Sequence, residues 1–313
     1  MSQRTTAAAS FPIADSFAVR LAVAGGLAAI AACRSVEPPD RRDDRGAEPT
    51  KASPAENELV SELEEPVEES PAPHLVTYAK APIELRGFLY RPPGPGPFPA
   101  VVFNHGSEQL PGPKENQAEF YVAHGYVLFV PHRRGHGRSG GDYFEEAWNR
   151  TGRDGAALVA LLDAQVDDVA AAVAYVKGLP EVDGTRIAVA GCSFGGIQSL
   201  LAAERDLGIR AAIDFAGAAI TWARTPPLQE RMKKAARAAR VPVFFLQAEN
   251  DFDTTPSRVL DNEMRRAGRP SRMQIFPPRG STHMDGHGFC RGGEEPAWGP
   301  AVLAFLRESM PEN

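Results

Sequence analysis

The stretch RIAVAGCSFGGIQSLLAAERD, residues 186–206, decides the fold of this 313-residue chain. Arg186–Ala190 is a short apolar run of strand character, and Phe194–Ala203 has the composition of a helix. Only Gly191-Cys192-Ser193 separates them, so the chain must pass from strand to helix through a tight turn with Ser193 at its apex. Small neighbours relieve the crowding of such a turn, and the helix N-terminus faces whatever negative charge develops beside the serine. The bland alternative, a serine that only caps its helix, explains neither the flanking glycines nor the residues downstream.

Working outward, short apolar runs alternate with helical stretches from about His74, the mark of an α/β fold with a mostly parallel sheet. The expected strands are 75–80, 83–90, 100–104, 126–131, 186–190, 211–215, 241–247 and 272–276. The first two should form a hairpin around Ala81-Pro82. The expected helices are 115–124, 156–177, 194–203, 228–240, 256–267 and 297–308, covering both faces of a sheet of about eight strands. Asp163, Asp167 and Asp168 are expected on the solvated side of the long helix, as is the basic face of QERMKKAARAAR (229–240). The stretch between Ala211 and Val241 holds one evident helix, too little for a large lid domain.

A second Gly-x-Ser-x-Gly occurs at Gly137-Arg138-Ser139-Gly140-Gly141. Its serine is separated from the preceding strand by Arg133–Gly137, and two glycines, poor helix formers, follow it. Context therefore selects Ser193 as the candidate nucleophile and gives the RRGHGRSGG loop (133–141) a shaping role.

A serine hydroxyl needs a base and an orienting acid. After the run VPVFFLQ comes AENDFDTTP (248–256), where an acid would point into the crevice at the sheet's carboxyl edge. Glu249, Asp251, Asp253 and Asp214 compete; Asp251 is favoured because it starts the loop, while Asp253 suits a cap before Pro256. In PPRGSTHMDGHGFC (277–290), His287 is favoured over His283, because Gly286 and Gly288 let a loop carry the imidazole close. The order Ser193, Asp251, His287 is that of an α/β-hydrolase fold. The oxyanion donors are expected to be the backbone N–H groups of Phe194 and of Ser107, with His105 steadying the turn. His283, Asp285 and His287 have metal-ligand chemistry but no open site of their own, so no metal is expected.

Three cysteines, Cys33, Cys192 and Cys290, are too few for a disulfide scaffold. Two buried thiols at 192 and 290 are the simpler expectation and a bridge between them the alternative. Residues 1–32 read as a signal peptide: Arg4 and Arg20 precede the apolar run LAVAGGLAAIAA, which is too short to span a bilayer. The ending Ile30-Ala31-Ala32-Cys33 resembles a bacterial lipoprotein processing site. That resemblance implies lipidation of Cys33, attachment to a membrane through the lipid, and, with Arg34 following, the outer membrane. The alternative is an ordinary secretory signal. Residues 33–73, rich in Glu, Asp and Pro, are expected to be a disordered tether ahead of a catalytic domain at 74–313. A net charge of -6 excludes a basic nucleic-acid-binding surface as the governing feature.

Asn104-His105-Gly106, the run Arg134–Ser139, Gly191–Gly196, Ala248–Asp251 and Gly286–Phe289 together resemble the dienelactone hydrolase family. The resemblance covers about residues 74–310 and implies hydrolysis of small esters or lactones by a triad, without a cofactor. One departure is clear. The best-known members carry cysteine as nucleophile, and here that position is Ser193. Adjacent side chains on a tight elbow point apart, so Cys192 does not substitute for it. The chain is thus also similar to serine esterases and acyl-peptidases; a serine peptidase is the second reading, and a binding lipoprotein with a vestigial triad the third.

Overall fold

The computed structural model describes residues 72–312. The expected signal peptide, Cys33 and all but the last two residues of the expected tether lie outside the described residues. All eight expected strands and all six expected helices are present, with boundaries shifted by a few residues.

The strands form one sheet in the order β1-β2-β4-β3-β5-β6-β7-β8. β1 (His74–Ala79), β2 (Leu85–Tyr90) and β4 (Val127–Pro131) pair antiparallel. β3 (Phe98–Asn104), β5 (Val182–Cys192), β6 (Ala211–Phe215), β7 (Val243–Ala248) and β8 (Ser271–Phe276) continue from β4 with parallel pairing. Every residue of β4, β6 and β7 is buried, as a parallel sheet covered on both faces demands.

Side chains alternate between two apolar layers, because successive strand residues point to opposite faces. Val102, Phe129, Val189, Ala212 and Phe245 pack against α3 (Gly155–Lys177), α4 (Phe194–Ala203), α5 (Pro226–Ala238) and α6 (Thr255–Arg266). Val101, Leu128, Ala190, Ile213 and Leu246 pack against α1 (Glu115–Ala123) and α8 (Glu295–Ser309). The register sets Asn104, Gly191 and Asp214 side by side, so the carboxyl ends of β3, β5 and β6 share one edge.

Among the described residues, two α-helices were not expected. α2 (Phe144–Arg150) buries Phe144 and Trp148, four residues apart, in the core beside α3. α7 (His283–His287) is a single helical turn at the crevice. One of the three α3 aspartates also departs from expectation. Asp167 is exposed and pairs with Arg205 at 2.6 Å, but Asp168 is buried. It accepts from the Arg134 N–H at 2.8 Å and from the Arg134 guanidinium at 2.6 Å. The reason is packing: the 133–141 loop lies against that side of α3 and supplies the partners a buried carboxylate requires.

Candidate active site

Ser193 stands between β5 and α4 with φ 56° and ψ -116°, a conformation a non-glycine residue adopts only under constraint. Its N–H donates to Phe215 O at 2.8 Å, and all ten residues of α4 behind it are buried. A side chain at position 195 would collide with the Asn104 carbonyl; glycine there lets the elbow sit against β3. The turn expected from RIAVAGCSFGG is therefore built from close approach on both sides.

His287 Nε2 lies 3.0 Å from Ser193 Oγ, and His287 Nδ1 lies 2.9 Å from Asp251 Oδ1. These three residues are brought together from β5, the loop after β7 and the region after β8, at the edge where open α/β sheets gather ligands. The carboxylate is itself oriented. Asp251 Oδ1 accepts from the Phe252 N–H at 2.6 Å, and Oδ2 accepts from Gln247 Nε2 at 2.9 Å. Gln247 in turn accepts from Ser257 at 2.8 Å. Gln247 was not anticipated; a glutamine ending the apolar run VPVFFLQ, where burial demands partners, was the available signal.

The way His287 is carried differs from expectation. It ends α7 instead of sitting on a free glycine loop. Thr282 accepts from the Asp285 N–H and the Asp285 carboxylate answers at the Thr282 N–H, a capping box that fixes the turn. Gly286 serves close approach: a Cβ there would lie 2.6 Å from the Asn250 carbonyl carbon. Asp285 is thus a capping residue. Among the described residues no group of three His, Cys, Asp or Glu could hold a metal ion.

The competing residues fall away from the serine. Asp253 accepts from the Thr255 N–H at 2.8 Å, a bond within the turn that leads into α6, whose N-cap is Thr254. Glu249 is exposed. Asp214 is buried, accepts from the Gly217 N–H at 2.7 Å, and has its carboxyl pushed up to about 7 by that burial. His283 lies 3.1 Å from the Asn250 carbonyl. Ser139 donates to His132 O at 2.6 Å and accepts from the Arg86 N–H at 2.8 Å, so its hydroxyl is committed to backbone.

Cys192 and Cys290 are joined by a disulfide, Cα–Cα 5.8 Å, and not present as the two free thiols expected. The elbow and the turn after α7 converge on the same cleft, which brings two residues 98 positions apart into bonding range. An open cleft of about 250 Å³ lies over Ser193, and its lining includes Gly106, Ser107, Ile220 and Met284. The Phe194 N–H is the first of α4, which by helix geometry has no acceptor within its own helix.

The chain matches the dienelactone hydrolase family over residues 85–298. It is similar to the quorum-quenching protein AidA of Acinetobacter baumannii, 31% identical over 148 residues, 45% of this chain and 43% of that protein. It is also similar to a bifunctional esterase/perhydrolase, DCH, of Acinetobacter calcoaceticus, 27% identical over 229 residues, 71% of this chain. The matched part is 64% of DCH, so each of these curated relatives is covered over less than two thirds of its length. Among solved structures, an acylaminoacyl peptidase of Pyrococcus horikoshii superposes with TM-score 0.60 and 17% identity, over 78% of this chain and 42% of that one. A propionate-bound esterase of Thermogutta terrifontis gives TM-score 0.55 and 19% identity, over 78% and 98%. At such identities these two show the α/β-hydrolase fold alone. The family match is of another kind, since it runs through β2 to α8 and takes in Ser193, Asp251 and His287: the chain belongs to the dienelactone hydrolase family.

Proposed function

We propose that this protein is a serine hydrolase that cleaves carboxylic esters or lactones through an acyl-enzyme on Ser193. The observation that carries the reading is the continuous chain from Ser193 Oγ through His287 to Asp251, at 3.0 and 2.9 Å. Asp251 accepts from Nδ1–H, which leaves Nε2 free to take a proton. Ser193 Oγ attacks the ester carbon while His287 Nε2 removes the hydroxyl proton. The tetrahedral intermediate then collapses, the bond to the alcohol oxygen breaks, and His287 returns the proton to it. Water, deprotonated by His287, attacks the acyl-enzyme; the carboxylic acid leaves and Ser193 regains its proton. The oxyanion would accept from the Phe194 and Ser107 N–H groups. Membership of the family and the esterase named among the relatives support an ester substrate. Ile220 and Met284 supply an apolar wall suited to a small or medium acyl or alcohol group.

The expected export and lipidation at Cys33 belong to the same proposal. They are supported by the lipoprotein-like sequence, and the Cys192–Cys290 bond fits an oxidising compartment. Turnover of p-nitrophenyl acetate and butyrate against aminoacyl-anilides tests the reaction class. Esters should be cleaved at rates far above anilides, and the opposite order would replace the esterase reading with a peptidase one. Cys33→Ser should release the protein from membranes; unchanged fractionation would remove the anchor.

A further inference from the structure

The segment His105–Gln109 leaves the end of β3, and its residues His105–Glu108 line the cleft beside Ser193. Its five consecutive carbonyls all point at donors from residues 133–143. Arg133 Nη1 donates to His105 O and Nη2 to Gly106 O, each at 2.9 Å. The Tyr143 hydroxyl donates to Ser107 O at 2.9 Å, and His136 Nδ1 lies 2.9 Å from Glu108 O. The Gly137 N–H donates to Gln109 O at 2.8 Å. Exposed loops ordinarily leave such carbonyls to water, so five built donors on one side are a specific arrangement.

Arg133 carries most of the cost. Its side chain is fully buried, and among the described residues it makes no ion pair. Burial lowers its guanidinium to about 10, so it stays charged near neutral pH. Its remaining contacts tie the same region. Nε donates to Gln165 at 3.0 Å, and the Arg133 N–H donates to His105 Nε2 at 3.3 Å. That leaves the imidazole proton on Nδ1, 2.9 Å from Gly106 O. A buried guanidinium spent on two backbone carbonyls is expensive unless the orientation of those peptides matters.

We infer that Arg133 and Tyr143 are positioning residues, which fix the peptide planes on both sides of Ser107 so that its N–H faces the oxyanion above Ser193. In a trans peptide the N–H of Ser107 points opposite to the C=O of Gly106. A donor behind that carbonyl therefore aims the N–H away from the protein interior and into the cleft. It also polarises the same amide, strengthening its donor end. The inference rests on the acyl-enzyme reading and deepens it by naming what holds the oxyanion donor in place.

The test compares Tyr143→Phe and Arg133→Lys with Arg134→Gln, which removes the Asp168 pair and touches none of these carbonyls. Loss of a full oxyanion donor lowers kcat about 10²–10³-fold. Partial misalignment should then cost roughly 3- to 10-fold in Tyr143→Phe and roughly 10- to 100-fold in Arg133→Lys. KM should stay within about two-fold, because the donor acts on the transition state. The rate of Ser193 labelling by a fluorophosphonate should fall in the same proportion. Arg134→Gln should lower the melting temperature and leave kcat unchanged. Unchanged kcat in Tyr143→Phe and Arg133→Lys overturns the inference, as does an equal kcat loss in Arg134→Gln. If Arg133→Lys does not fold, the partly exposed Tyr143→Phe decides alone. Turnover surviving in Ser193→Ala would instead overturn the acyl-enzyme reading itself.

Discussion

The two Gly-x-Ser-x-Gly turns use the same residues for opposite ends. At Gly191–Gly195 the glycine after Phe194 admits a neighbouring strand, and Ser193 is held in a strained conformation with its hydroxyl toward His287. At Gly137–Gly141 the first glycine has φ 56° and would clash with His132 if it bore a side chain. There Ser139 is consumed by two backbone partners. The pattern therefore encodes tight packing around a serine, and what the serine does is set by whether a third element brings a base to it. The elbow places Ser193 at the edge of the sheet; the other turn half-buries its serine against Arg86 of β2 and His132 just past β4, and has its carbonyl-binding neighbours facing the His105–Gln109 wall.

The strongest way to break this contrast is to remove each hydroxyl. Ser193→Ala should abolish ester turnover, a loss on the order of 10⁴–10⁶ in kcat by analogy with other triads, with the melting temperature little changed. Ser139→Ala should show the reverse. The Arg86 N–H loses its acceptor, at a cost of about 1–3 kcal/mol, while kcat stays within about two-fold. Denaturant unfolding and p-nitrophenyl butyrate turnover on both variants read the two quantities. A catalytically dead but fully folded Ser139→Ala would mean that the second turn, too, reaches the chemistry.

The elbow was legible because local signals agreed: an apolar strand, small turn residues and a helix directly after. Asp251 and His287 were legible through chain order, since each follows a strand of the expected type. What escaped depended on contacts that sequence distance hides. The Cys192–Cys290 bond joins residues 98 positions apart. Asp168 and Arg133 carry charge, which ordinarily marks a solvated face, and only the fold shows that Asp168 holds the 133–141 loop through Arg134 while Arg133 holds the His105 carbonyl. α7 was missed although Thr282 and Asp285 have capping-box spacing, because five residues give too short a pattern to stand against the glycines around it.

The two turns are also anchored by different means, and the disulfide sharpens that difference. It ties the residue before Ser193 to the segment just past His287, whereas the Ser139 turn relies on hydrogen bonds. Cross-linking a loop of this length stabilises by about 2–5 kcal/mol, chiefly by restricting the unfolded chain. Cys192→Ala combined with Cys290→Ala should therefore lower the melting temperature by roughly 5–20 °C. Reduction of the wild type with a phosphine should move it the same way. Because the bond spans both sides of the triad, kcat should fall along with stability. The Ser139→Ala cost should add to the disulfide cost within about 0.5 kcal/mol, since the sites share no partner. A melting temperature indifferent to reductant would show that the two sulfurs are not bonded in the folded protein.

The smallest effect separates the turns by pH. Around Ser139 the loop depends on neutral histidines: burial and Arg133 hold His105 well below its ordinary value of 6.5, burial lowers His132, and burial with Arg133 takes His136 to about 4. His132 Nδ1 accepts from the Arg138 N–H at 2.9 Å, a contact a protonated ring cannot keep. Each group has a depressed native pKa, so the unfolded chain binds more protons and stability falls as pH drops from about 6.5 toward 4. Beside the elbow, Asp214 has the opposite sign. Its carboxyl is raised from 3.8 to about 7, so its contribution is lost as pH rises through that window. Three histidines outweigh one aspartate, and the net stability between pH 4.5 and 6.5 should rise with pH. Asp214→Asn removes the opposing slope. It should gain on the order of 1–3 kcal/mol more over wild type at pH 7.5 than at pH 4.5, and so steepen the rise. Urea unfolding across that range measures both curves. A wild-type stability that is flat or falling toward pH 6.5, or an Asp214→Asn gain independent of pH, would remove the electrostatic distinction between the two turns and leave only their geometry.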